Sequence, residues 1–294
     1  MFLCDYCTYI LLLGIIALPF LYEFSNRFRF YLKFCIYYVF VMLCSVLCIP
    51  FIAWRPGNVR NTLIATLPLR ILNPLLGLNW EIEGIEHIVP DRAAIVVANH
   101  QSSVDFLGMV YMWPIFCKIS AIAKKELFYA MPFGFTAWLC GTRFIDRSNP
   151  QKAKDSMNAA LSYCKENKVK LWVFPEGTRN MKKEMLSFKK GAFHLAISGQ
   201  LPILPLVYSS YTGFLNHRLK IFNPVPGSEF RTFYNTISEN IVVTCLPPIS
   251  TEGLTLNDMP ELMDKVRAQM METYTKVSEQ VKQPFPLIEA MKES

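Results

Sequence analysis

No charged residue lies between Tyr6 and Tyr22, and none lies between Phe34 and Trp54. Two such runs constrain the N-terminus strongly, because an uncharged apolar stretch has to be buried in protein or in lipid. A helix rises about 1.5 Å per residue, so the second run is long enough to span a hydrocarbon core of ~30 Å. The first run is marginal and is interrupted by Pro19. Tyr22, Phe24, Phe28, Phe30, Tyr31, Phe51 and Trp54 cluster at the edges of the runs, as aromatics do at a membrane interface. A cleavable leader needs a basic start and a small-residue cleavage site; Asp5 and Phe20-Leu21-Tyr22 supply neither. The expectation is a membrane-embedded helical hairpin over residues 1–55. Its topology is over-constrained. Arg27, Arg29 and Lys33 between the runs read as cytosolic, and so do Arg55, Arg60 and Arg70 after them. Two full spans cannot satisfy both, so either the second run is re-entrant or interfacial, or the positive-inside rule fails here.

The rest of the chain has to fold as a globular body. With 294 residues there is material for one large domain or two small ones. Only 18% of residues are charged, 52% are hydrophobic and the mean hydropathy is +0.25. Those values exclude a disordered chain, a collagen-like fibre and a small disulfide scaffold. The net charge of +7 suits an anionic lipid or a phosphate-bearing substrate. No zinc-finger spacing, basic region or RNA-binding aromatic signature points to nucleic acid. Nine cysteines are scattered singly, apart from Cys4 and Cys7, and an odd number cannot all pair. That C-x-x-C has no second pair and no neighbouring histidine, so it reads as small packing residues, and no metal site is expected. The absence of any Asn-x-Ser/Thr sequon agrees with a domain facing the cytosol.

From Leu78 onward, short β-rich runs alternate with helical stretches. Ala93–Ala98 is a continuous apolar run suited to a buried strand. Further strands are expected at 119–123, 143–145, 170–174, 203–207, 219–222 and 241–245. Helices are expected at 104–113, 125–139 and 186–198. Another starts at Pro150, capped by Ser148 or Asn149, and a last one is capped by Asp258. The last helix carries the stripe Leu262, Val266, Met270, Tyr274 and Val277. This alternation predicts an α/β fold with a mixed sheet covered by helices on both faces, spanning residues 56–282, and a flexible tail at 283–294.

There is no G-x-G-x-x-G, no P-loop and no G-x-S-x-G elbow. His100 directly follows the strand at 93–98, in Asn99-His100-Gln101-Ser102-Ser103-Val104-Asp105. Open α/β sheets bind ligands at the carboxyl ends of their strands, so this histidine stands where chemistry is done. Asp105 suits two readings that are compatible. It can orient one imidazole nitrogen while the other takes a substrate proton, or complete a capping box with Ser102. Phe174-Pro175-Glu176-Gly177-Thr178-Arg179 also follows a strand, and Arg179 adds a planar donor suited to phosphate. Lys124 and Lys125 follow a third strand, and Arg143 and Arg147 lie on and just after a fourth. Four strand ends thus deliver His100 and a set of cations to one edge, which specifies a substrate with a phosphate.

In order and spacing, NHQSSVD, GTRFIDR, FPEGTRN and LPILPLV resemble the four sequence blocks of the glycerolipid acyltransferases, from about Asn79 to Val207. The double apolar N-terminus fits the membrane-bound lysophosphatidic acid branch of that family. The resemblance implies acyl transfer from the co-substrate acyl-CoA to the sn-2 hydroxyl of 1-acyl-sn-glycerol-3-phosphate (lysophosphatidic acid), making phosphatidic acid for phospholipid and triacylglycerol synthesis. It implies His100 as the base and Asp105 as its partner. Glu176, Gly177, Thr178 and Arg179 would form the acceptor-binding block, supported by Arg147 and Lys124. No cofactor or metal is implied. The partners would be acyl-CoA, lysophosphatidic acid and the bilayer, at the endoplasmic reticulum membrane with the catalytic domain cytosolic. Thr142-Arg143 departs from the apolar residues of many relatives, leaving Arg143 as an extra phosphate contact or a surface charge. Another lysophospholipid or glycerol-3-phosphate as acceptor, a lipid hydrolase, and a non-catalytic lipid-binding protein are the alternatives.

Overall fold

The protein is described here by a computed structural model covering residues 2–146, 148, 150–223 and 239–281. Helix α1 (Phe2–Phe24) runs through Pro19, which removes one intrahelical donor without ending the helix. Ser25 separates it from α2 (Asn26–Ile52); its backbone is extended and its hydroxyl accepts from the Phe28 N–H at 3.2 Å, an N-cap. Among the described residues α2 alone is long and apolar enough to cross a membrane. It is also two-sided. Phe30, Phe34, Tyr37, Val41, Cys44, Cys48 and Ile52, three or four apart, are buried against the body of the protein. Val39, Leu43, Val46, Leu47 and Phe51 face outward. Lys33 lies on the buried stripe and donates to the Leu76 carbonyl at 3.1 Å. The short helices α3 (Asn61–Thr66) and α4 (Leu72–Leu76) lead into the sheet.

The remaining elements alternate as the pattern predicts. They are β1 (Leu78–Glu83), β2 (Ala94–Ala98), α5 (Asp105–Phe116), β3 (Ile119–Lys124), α6 (Phe133–Leu139), β4 (Arg143–Ile145), α7 (Pro150–Asn167), β5 (Lys170–Val173), α8 (Lys190–Gly199), β6 (Ile203–Tyr208), β7 (Leu215–Asn216), β8 (Ile221–Phe222), β9 (Glu239–Cys245) and α9 (Met259–Gln280). Seven strands form one sheet in the order β1-β9-β6-β2-β5-β3-β4. All neighbours are parallel except β6 and β9, so β1 and β9 run against the other five. The sheet is mixed, mostly parallel and covered on both faces.

Strand β2 shows why. Side chains alternate between the faces of a sheet, so Val96 and Ala98 enter one core while Ile95 and Val97 enter the other. The first core is rich in aromatics and is closed by α2 and α5. The second is mainly aliphatic and is closed by α7, α8 and the predicted stripe of α9. The parallel run β2-β5-β3-β4 brings four carboxyl ends side by side on one edge.

Several local expectations are corrected. The helix expected over 125–139 is a 3₁₀ turn at Lys125–Tyr129 followed by α6, because Pro132 cannot supply the N–H that would join them. The chain folds back so tightly there that a Cβ on Gly134 would clash with the Phe128 carbonyl oxygen. Helix α8 starts at Lys190 rather than 186, since the Lys189 N–H, which a helix from 186 would bond to residue 185, is bonded to the Pro175 carbonyl instead. Asp258 occupies the N-cap position of α9, but its carboxylate accepts from Thr255 and not from the helix. The strand expected over 219–222 shrinks to β8, which pairs with β7 in a separate hairpin. Ser148 donates to Asp146. Asn149, the tail at 283–294 and the side chains of Cys4 and Cys7 lie outside the described residues.

Candidate active site

The site forms where β2 leaves the sheet. Two buried amides replace the backbone ladder there. Asn99 exchanges hydrogen bonds with both backbone groups of Tyr208, at 2.8 and 3.0 Å. The Gln101 amide donates to the Ser209 carbonyl at 2.8 Å, and its carbonyl accepts from the Tyr211 N–H at 3.1 Å. The turn at 99–105 is therefore stitched to the end of β6 on both sides of His100.

Asp105 closes this turn from the first residue of α5. Its carboxylate is buried and meets His100 Nδ1 at 2.6 Å. It also accepts from the N–H groups of Gln101 at 2.7 Å and Ser102 at 3.1 Å. Orienting the imidazole and capping the turn are thus one act, although Ser102 takes no part in it as a capping side chain. Its hydroxyl faces His217 Nε2 at 3.2 Å. A carboxylate at Nδ1 places the ring proton there and leaves Nε2 with a free lone pair. The imidazole stacks on Phe174 with centroids 4.1 Å apart and retains 20% of its side-chain exposure.

Glu176 approaches the same turn from the loop after β5. It is 3% exposed. One oxygen accepts the His100 N–H at 2.9 Å and the other accepts the Leu186 N–H at 2.9 Å. The Asn180 N–H returns a bond to the His100 carbonyl at 2.8 Å. Glu176 therefore fastens the two loops together through backbone groups. Gly177 turns with φ +70°, and a Cβ there would lie 2.8 Å from Lys189 Nζ, so the lysine side chain lies across it. Thr178 and Arg179 are exposed beyond that turn. Arg179 has no acidic partner among the described residues, and it acts electrostatically on Tyr37 and His217. Burial, then Arg179 and Lys220, push the His217 ring below its ordinary range.

Lys124 is exposed at the end of β3, two strands from β2 and so about 10 Å along the edge. Lys125 is paired with Asp146 at 3.1 Å. Arg143 is not a free surface charge: its guanidinium lies over the Tyr163 ring of α7, 4.4 Å from the centroid. Arg147 lies outside the described residues. No cluster of three metal-ligating side chains occurs among the described residues. Sequence reasoning missed Asn180, Lys189, His217 and, above all, Tyr37 and Tyr38 of α2, whose hydroxyls reach Ser103. Asn180 and Lys189 sit close to the Pro-Glu-Gly turn and were within reach of that motif. Nothing in the sequence ties the two tyrosines or His217 to it.

A family model described as Acyltransferase matches residues 79–209. Over 261 residues the chain is 39% identical to the 1-acyl-sn-glycerol-3-phosphate acyltransferase alpha of Homo sapiens, covering 89% of this chain and 87% of that protein. It is 32% identical over 267 residues to the human beta form, covering 90% of each. Among solved structures it resembles the 1-acyl-sn-glycerophosphate (LPA) acyltransferase of Thermotoga maritima, with a TM-score of 0.58 and 22% identity over 85% of this chain and 97% of that one. That likeness is one of fold.

Proposed function

Because the chain belongs to the acyltransferase family, we propose that it transfers a fatty acyl group from acyl-CoA to the sn-2 hydroxyl of lysophosphatidic acid, making phosphatidic acid for phospholipid and triacylglycerol synthesis. One observation carries the reading. His100 is oriented through Nδ1 by a buried carboxylate, and its backbone is bonded to the loop that presents Arg179. A base and a phosphate-sized cation are thereby held in one rigid unit, as a phosphorylated alcohol requires. The names of the relatives supply the acceptor.

The chemistry follows from the geometry. Nε2 of His100 removes the proton as the acceptor oxygen attacks the thioester carbonyl, and Asp105 stabilises the imidazolium that forms. The tetrahedral intermediate collapses, the C–S bond breaks, and the imidazolium returns its proton to the departing thiolate. The N–H groups of Gln101 and Ser102, the first two after His100, are occupied by Asp105, so other donors have to meet the oxyanion. Ser102 is not bonded to His100, and His217, the histidine it meets, has no carboxylate partner among the described residues, so this reading takes direct transfer without an acyl-serine. In this reading Arg179 holds the phosphate through its planar fork, with Lys124 adding positive charge at the end of β3 and Arg147 supporting it as the family pattern implies. Helix α2 seats the protein on the endoplasmic reticulum membrane, with the site on the cytosolic side.

The test is an acceptor panel. Purified protein in detergent, given labelled oleoyl-CoA, should acylate lysophosphatidic acid well ahead of lysophosphatidylcholine, lysophosphatidylethanolamine and glycerol-3-phosphate. A different preferred acceptor overturns the substrate. Consumption of lysophosphatidic acid without acyl-CoA would make the protein a hydrolase.

A further inference from the structure

Helix α2 does more than pack against the sheet; it reaches the catalytic turn. The Tyr37 hydroxyl donates to the Ser103 carbonyl at 2.9 Å, and the Tyr38 hydroxyl donates to Ser103 Oγ at 3.0 Å. Tyr37 is 4% exposed, so its bond is shielded from water. A third tie is indirect. His217, on the hairpin between β7 and β8, packs on Phe34 and Phe30 of α2 with centroids 5.5 and 5.7 Å away, and its Nε2 meets Ser102 Oγ at 3.2 Å. Asn223, just after β8, donates to Asn26 at the start of α2 at 3.0 Å, a second tie between the hairpin and the helix.

Ser102 and Ser103 are the link between the base and its partner. The Ser102 N–H bonds the Asp105 carboxylate, and the Ser103 carbonyl also receives the Phe106 N–H at 3.2 Å. Any drift of this corner moves Asp105 relative to His100, and sub-ångström placement is what general-base catalysis depends on. Resting on the reading of His100 as the base, we propose that Tyr37, Tyr38 and His217 are positioning residues: α2 holds the His100–Asp105 turn in its working geometry through the Ser102–Ser103 corner. The helix with the outward apolar face is by this account also a wall of the active centre, so its docking and the chemistry are coupled.

Loss of one such hydroxyl should cost about three- to tenfold in activity, the usual worth of a buried hydrogen bond. Full-length Tyr37→Phe, Tyr38→Phe and the double variant keep their rings and their packing. Each single variant should lower kcat about three- to tenfold and the double variant at least about tenfold, with KM for acyl-CoA and lysophosphatidic acid within about twofold. His217→Phe, which retains the stack on Phe34, should behave like a single variant. Ser103→Ala removes the partner of Tyr38, so Tyr38→Phe with Ser103→Ala should be no slower than the worse of the two alone. A purely structural role would instead lower the melting temperature and leave kcat per folded molecule unchanged, and that result overturns the proposal. His100→Ala in the same assay separates the two readings. If it is active, the base assignment fails. If it is inactive while the tyrosine variants turn over normally, the positioning role alone fails.

Discussion

The two faces of the sheet are built from different materials. The face under α7, α8 and α9 is largely aliphatic: Ile95, Val97, Leu171, Ile203, Val207, Val266 and Met270 pack there. The face under α2 and α5 is much richer in aromatics, with Trp80, Trp113, Phe116, Trp172, Tyr208 and Tyr211 set among its aliphatic side chains. Among the described residues, the buried ring N–H and hydroxyl groups without a partner lie on this second face, at Trp113, Trp172 and Tyr208, while the Tyr211 hydroxyl is directed at Asp105. Each such group costs about 1–3 kcal/mol if it stays unpaired. The catalytic turn sits over the same face, and Asp105 acts electrostatically on both tyrosines. One face therefore supplies packing, and the other supplies the floor beneath the site at some cost in stability. Stability and turnover should accordingly respond to different residues.

The largest expected break between the two is Asp105→Asn. It should lower kcat by about 10²–10⁴, because the imidazole loses the partner that fixes its tautomer. Steady-state kinetics at saturating substrates would show it. Glu176→Gln comes next. It weakens a charge-assisted bond from the His100 N–H, so kcat should fall about ten- to a hundredfold, with a lower melting temperature. On the aliphatic face Met270→Ala should cost about 2–5 kcal/mol in denaturant unfolding and leave kcat per folded molecule within about twofold. A comparable loss of turnover there would erase the distinction between the faces. Tyr208→Phe removes an unpartnered buried hydroxyl, so its melting temperature should hold or rise.

The smallest effect lies at the opposite end of the sheet. Burial pushes the Lys170 ammonium from its ordinary 10.5 down to about 8. Between those values the unfolded chain binds more protons than the folded one, so stability should rise with pH across that window. Lys170→Met should flatten the rise, measured by unfolding at a series of pH values.

Much of this was legible in the sequence, for physical reasons. A strand buried on both faces must be apolar throughout, which exposed β2 and with it the turn carrying His100. Parallel strands place their carboxyl ends together, so the α/β alternation was enough to expect the 99–105 turn, the Pro-Glu-Gly loop and Lys124 on one edge, but not their order along it. The stripe of α9 was visible because a helix covering a sheet needs one apolar face. Other features depended on tertiary contacts that leave no local trace. Both oxygens of Glu176 bond backbone N–H groups, and any acceptor-binding motif would have looked the same. Tyr37 and Tyr38 sit in an apolar run where aromatics are expected at a lipid interface, so their hydroxyl bonds to Ser103 were hidden by the company they keep. The conflict between the two basic segments flanking α2 has a structural counterpart: one stripe of α2 lies on the protein along its length. The break at Pro132 was different. The signal was present in the residue itself and was outweighed by the apolar periodicity around it.

The central claim is that the free nitrogen of His100 takes the proton of a phosphorylated alcohol that attacks a thioester. It is tested most directly by following free CoA thiol and labelled phosphatidic acid together, for wild-type protein and for His100→Ala, after adding lysophosphatidic acid to protein and oleoyl-CoA. Wild-type protein should release thiol in step with phosphatidic acid, and only once acceptor is present. His100→Ala should be slower by at least about 10²-fold while unfolding at the same temperature. Turnover by His100→Ala within about threefold of wild type, against that expectation, or thiol release that precedes acceptor, would contradict the account.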